Sequence, residues 1–355
     1  MPPVFNEKLV SERLELRDFE DVQETFLTRS WTDGLPIVPP TELKVREMIA
    51  GSGRPASEVL GVVPPRFAEA TVENVAVNAV MAGCRPEYMP VLIAGLQAAC
   101  DPAFRLYSIQ ATTHPCGVLM IVSGPVVEQL GFNAGFGTFG PGNRANATLG
   151  RALRLVLMNV GGALPGRGDQ ATQGSPAKYS YCIAENEAAS PWPPLRTELG
   201  FGADESTVTV IAGEAPHNVN DHVCTSGENI LHTVASTMTT IGHNNSGCVG
   251  TGDVAVVLGP EHAAQIAGDG FSRADVREFL FRHARNHVGD MRDRAMWKMH
   301  EMPDWIDLTD DDAEVPIVGA PEEILVLVAG GAGKHSAFIP TFGLSRSVTR
   351  RIETP

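Results

Sequence analysis

The chain lacks a membrane-length apolar run, a paired-cysteine motif, a basic excess and a nucleotide-binding fingerprint. Its longest apolar runs, residues 91–99 and 324–329, are far shorter than the roughly 20 residues of a bilayer-spanning helix, which excludes a membrane partner of that kind. The start, MPPVFNEKLVSERLELRDFED, is charged and has no apolar core region, so neither a signal peptide nor an anchor is expected there. The six cysteines are scattered without CxxC spacing, which points to free thiols in a reducing, cytoplasmic setting. With 42 acidic against 27 basic residues and a net charge of −15, the chain has no basic excess to meet phosphate backbones, so nucleic acid is not an expected partner. No dinucleotide loop is present. Gly330-Gly-Ala-Gly-Lys-His-Ser336 misses the Walker spacing and has His335 where Ser or Thr would stand, so no dinucleotide cofactor is expected.

Glycine (36) and proline (26) are plentiful, while only 19% of residues are charged. That composition suits a compact, loop-rich enzyme with much buried surface, and it suits a homo-oligomer. Strands alternate with helices along the chain, which predicts an α/β fold. Three segments repeat without gaps: residues 121–140, 256–275 and 327–346. Gly124, Gly259 and Gly330 align, as do Phe136, Phe271 and Phe342. An upstream likeness joins residues 78–84 to 218–224. The repeat predicts two related strand–loop–helix halves packed as one compact unit. The divisions expected are 1–58, a helical arm and Pro-rich connector; 59–190, the first half; and 191–355, the second half, ending in a strand and a Gly-rich loop. A charged helix is expected over 6–29, further helices over 71–81, 144–160 and 274–284, and strands over 108–113, 117–122, 179–184, 208–212, 254–258 and 324–329.

Chemistry is expected where strands end, because loops there open into a crevice. Glu214-Ala-Pro-His-Asn-Val-Asn-Asp-His222 follows an apolar strand and offers His217, Asp221 and His222 as ligands for a divalent metal ion, with Asn218 available to a substrate. The spacing matches no strong metal signature, and a polar helix start is the structural alternative. Glu185 follows another strand and can serve as a general base or sit at a helix N-terminus. Lys334 can hold an anion or act as a base, and His335 can transfer a proton, unless the loop is simply a tight turn. His114 lies between strands and is a further candidate for catalysis. Asn143 and Arg144 open a helix and can bind a carboxylate, Asn143 otherwise being an N-cap. His262 is expected to cap a helix.

Trp31-Thr-Asp-Gly-Leu-Pro-Ile-Val-Pro-Pro40, Met81-Ala-Gly-Cys-Arg-Pro-Glu87, Gly259-Pro-Glu-His-Ala263 and Gly330-Gly-Ala-Gly-Lys-His-Ser336 resemble a bacterial family of largely unassigned function, grouped with UGSC-motif (seleno)proteins. The likeness spans most of the chain. Cys-Gly-Ser-Cys is absent, so the resemblance implies no redox chemistry, catalytic residue or substrate. The expectation is an enzyme acting on a small polar, carboxylate-bearing molecule by metal-assisted or acid–base lyase or hydrolase chemistry. A thiol enzyme using Cys84, Cys116, Cys224 or Cys248, or a non-catalytic small-molecule binding subunit, are the alternatives.

Overall fold

A computed structural model describes residues 7–354. The helices that matter below are α1 (Phe19–Thr28), α2 (Glu42–Ser52), α3 (Val72–Ala82), α4 (Met89–Ala99), α5 (Leu106–Ala111), α6 (Arg144–Asn159), α7 (Gly227–Met238), α8 (Pro260–Gly268) and α9 (Arg273–His283). The strands are β1 (Gly117–Ser123), β2 (Cys182–Ala184), β3 (Thr207–Gly213), β4 (His217–Asn220), β5 (Val254–Leu258), β6 (Ile324–Val328), β7 (His335–Ile339) and β8 (Val348–Arg351). They form two four-stranded sheets, ordered β8-β3-β1-β2 and β6-β5-β7-β4. Each sheet has one parallel pair, β1 with β2 and β5 with β6; the other pairings are antiparallel. The fold is α/β, as the sequence predicts.

The sheets pack face to face. Leu119, Ile121, Ile183 and Ile211 of the first meet Val257, Leu325, Leu327 and Ile339 of the second. The alternate residues point outward. Met120, Val122, Val208 and Val210 lie under the N-terminal helices, and Val254, Val256, Val326 and Phe338 lie under α7–α9. The result is four layers, helix–sheet–sheet–helix. Strands covered on both faces read as unbroken apolar runs rather than alternating ones, which is why VAVVL and ILVLV stand out in the sequence. Helix α4 is apolar nearly all round for the same reason, being buried on every side.

The two sheets share one strand order and one set of strand senses, and they exchange an edge. After β3 the chain crosses to the second sheet as β4; after β7 it crosses back to the first as β8. The crossing is fastened by a Gly213–Thr341 bridge and by Glu214 N–H donating to the Pro340 carbonyl. A cut at residue 191 therefore does not separate the sheets, since β3 and β8 both belong to the first. The first two sequence repeats fall on equivalent strands, β1 and β5. The third falls on β6, which occupies the place of β2, so its likeness is one of local strand–turn shape.

Several local expectations give way to tertiary contacts. Helix α1 starts at Phe19, where Asp18 caps it; the start expected at residue 6 lies outside the described residues. Upstream, an extended arm is held by Val10 and Ser11 N–H donating to the buried Glu73 carboxylate. Residues 106–111 form helix α5 rather than a strand. In the upstream likeness, Asn78 is helical while Asn218 is in a strand.

Candidate functional site

The segment after β3 is a strand, not a helix start. As β4 it forms the edge of the second sheet and pairs with β7 in the register His335↔Asn220, Ala337↔Asn218 and Phe338↔His217. Strand side chains alternate between faces. Val219, Ser336 and Phe338 turn toward the helix layer, and His217 shares their side. Asn218, His335 and Ala337 turn the other way. The register thus separates His217 from His335, which the sequence grouped in one site.

What it brings together is His335, Asn218, His222 and Lys334. His335 Nδ1 stands 3.0 Å from Asn218 Oδ1 and its Nε2 stands 3.2 Å from His222 Nε2. With Nδ1–H donating to the Asn218 amide oxygen, neutral His335 presents its Nε2 lone pair to His222. Lys334 Nζ donates to the His222 carbonyl at 3.3 Å. Both imidazoles are exposed.

Beneath them lies a residue whose role the sequence did not reveal. His262 is buried in the first turn of α8. Its Nε2–H donates to the Asp221 carbonyl at 3.1 Å, and its Nδ1 accepts from Ser336 Oγ at 2.8 Å. Ser336 Oγ in turn accepts from Gly259 N–H at 3.0 Å. His262 therefore pins the residue before His222 and the residue after His335; it is not the helix cap expected, since Gly259 holds that position. Burial pushes its pKa down and keeps the ring neutral.

The metal set His217, Asp221 and His222 does not converge. His217 lies on the other sheet face. The Asp221 carboxylate accepts from Cys224 N–H at 2.9 Å and Thr233 Oγ at 2.7 Å, at the entry to α7. Burial would raise its pKa, but hydrogen bonds from Cys224, Thr233 and Val223 outweigh that and hold it at about 2. Among the described residues no group of three or more His, Cys, Asp or Glu side chains is arranged to hold a metal.

The other candidates are placed elsewhere. Glu185 is buried between the layers, accepting from Ser123 Oγ at 2.7 Å and Leu195 N–H at 2.9 Å, with Arg273 at 3.7 Å. Burial raises its pKa, and the enclosed carboxylate is taken up by Ser123, Leu195 and Arg273. His114 pairs with Glu214 at 2.7 Å rather than with Cys116, and Tyr181 Oη donates to the Glu214 carbonyl. Asn143 is the N-cap of α6, accepting from Asn146 N–H, and Arg144 donates to the Gly83 carbonyl. The Gly-rich loop is partly satisfied from within: Gly330 N–H donates to Ala134 O, and Gly333 N–H to the Glu261 carboxylate. Burial pushes the thiols of Cys84 and Cys116 up to about 12 and that of Cys248 to about 11, while hydrogen bonding to Asp221 raises Cys224. Such thiols are poor nucleophiles at neutral pH. Among the described residues, no histidine, lysine or cysteine lines a groove of about 770 Å³ between the N-terminal arm, α1 and α3. Compared with protein-family models and with characterised proteins, the chain matches none.

Proposed function

We propose that the chain is an enzyme acting on a small polar, carboxylate-bearing molecule at the edge of the second sheet, by acid–base or metal-assisted lyase or hydrolase chemistry. The observation that carries this reading is the convergence of Asn218 and His222 with Lys334 and His335, from segments more than 110 residues apart in the chain. Lys334 spends one hydrogen bond on a carbonyl and keeps donors for an anionic group. His335, fixed by Asn218, offers a lone pair at Nε2. His222 lies across from it. The combination anchors a carboxylate beside a base, as proton abstraction or hydrolysis next to that group requires.

The test is a binding and turnover screen of small mono- and dicarboxylates and phosphate esters by calorimetry and NMR, with wild type and Lys334→Ala in parallel. A true ligand binds Lys334→Ala at least tenfold more weakly, and His335→Ala fails to turn it over. A substrate converted equally fast by wild type, Lys334→Ala and His335→Ala would place the chemistry elsewhere and overturn the proposal.

A further inference from the structure

We infer that His222 and His335 ligate one divalent ion of the zinc class through their Nε2 atoms. The inference rests on the proposed site and takes its metal-assisted form, in which the His335 Nε2 lone pair binds the ion instead of acting as the base.

The spacing of the two rings suits a shared third atom as well as a shared proton. Were the imidazoles joined by a straight N–H···N bond at their 3.2 Å separation, their centres would stand about 5.5 Å apart. They stand 5.0 Å apart, with the ring planes at 77°. The centres are therefore about half an ångström closer than a straight bond would set them, so the Nε2 axes do not both lie along the line between the nitrogens. If the two axes share that bend equally and to one side, by about 40°, they meet about 2.0 Å from each nitrogen at about 103°, which is the zinc–imidazole bond length and a near-tetrahedral angle. An octahedral ion would bring the nitrogens to about 2.9 Å, closer than they are.

The surroundings fit a ligating pair. Asn218 holds the proton of His335 on Nδ1, leaving Nε2 free, which is the outer-shell arrangement that orients metal-bound histidines. His222 ligates once its single proton sits on Nδ1, a tautomer change that adds and removes no proton overall. His262 fixes the backbone beside both ligands. The imidazole donors select zinc, cobalt, nickel or copper over magnesium or calcium. Two protein ligands leave two tetrahedral positions for water and for one oxygen of a carboxylate, and Lys334, hydrogen-bonded to the His222 carbonyl, is the neighbouring cation for its charge. That sharing would explain why a cation stands beside a cation site.

The experiment is calorimetric titration of chelator-treated, dialysed full-length protein with Zn²⁺, with Co²⁺ titrated in parallel for its visible spectrum. One ion per chain and an intense tetrahedral cobalt spectrum are expected. His222→Ala and His335→Ala should each abolish that spectrum, and Asn218→Ala should weaken binding by roughly 10- to 100-fold. His232 and His283, another pair of exposed rings 4.8 Å apart, supply the control: their double alanine variant should bind as wild type does. Because all these side chains are exposed, unchanged circular dichroism is expected throughout. Zinc binding that persists in the His222→Ala/His335→Ala double variant, or its absence in wild type, would overturn the inference. Carboxylate binding through Lys334 without any metal binding would do so while leaving the acid–base form of the proposed function intact. Metal binding without any carboxylate ligand would support this site and sink the proposed function.

Discussion

Substituting His262 by alanine tests whether a buried histidine holds the loops of the site. The change removes two hydrogen bonds, each contributing about 1 kcal/mol net, and leaves Ser336 Oγ and the Asp221 carbonyl short of a partner in a cavity the size of a ring. A total loss of about 3 kcal/mol is expected at pH 8. At about 2.1 cal/mol/K of unfolding entropy per residue, that loss lowers the Tm of this chain by about 4 °C. The pH dependence provides a second measurement. His262 is kept neutral in the fold by burial, whereas in the unfolded chain it takes up a proton below its ordinary value of 6.5. Its neutral contacts therefore stabilise fully above pH 6.5, and wild type loses that stability as pH falls through and below 6.5, by at most about 1.4 kcal/mol per pH unit for this one group. The alanine variant has nothing to protonate there, so the gap between the two proteins should narrow from pH 8 to pH 5. Urea unfolding at several pH values measures it. A gap below 1 kcal/mol at pH 8, or one that widens on acidification, would refute the buried neutral role of His262.

Two other substitutions separate packing from chemistry. Gly259→Ala is expected to destabilise the second sheet and to weaken zinc binding together, because an added Cβ would run into the His335 carbonyl; its backbone is not in the left-handed region, so the effect is steric, and a thermal melt beside the cobalt spectrum reads both. Glu185→Ala should cost about 1–3 kcal/mol by leaving Ser123 Oγ and Leu195 N–H without their buried acceptor, Arg273 keeping Glu198, while the folded protein keeps its zinc affinity; loss of zinc affinity without loss of stability would return Glu185 to the site.

The central strands were legible because sheets covered on both faces require unbroken β-branched and aliphatic runs. Residues 254–258 and 324–329 announce β5 and β6 for that reason, the second running one residue past the strand's end. The edge strand β4 and its neighbour β7 were not. His217–Asn220 is mostly polar and His335–Ile339 opens on an exposed histidine; β4 takes its strand character from pairing with β7, and β7 from lying between β4 and β5, all distant in the chain. The arm and α5 went the same way: the Glu73 carboxylate satisfies the arm's amides, and a charged, helix-like composition cannot show that.

By itself the sequence determined the α/β class, the apolar strands, several of the helices, the glycine turns after β1 and β5, and the residue types from which a site could be made. Only the tertiary structure decided which of those residues meet. Antiparallel pairing of β4 with β7 sets His335 beside Asn218 and His222, and the two-residue alternation of a strand turns His217 to the opposite face. Composition and spacing carry residue chemistry and local periodicity, but register is a relation between distant segments, fixed by the packing of Val219 and Phe338 into the core beneath them.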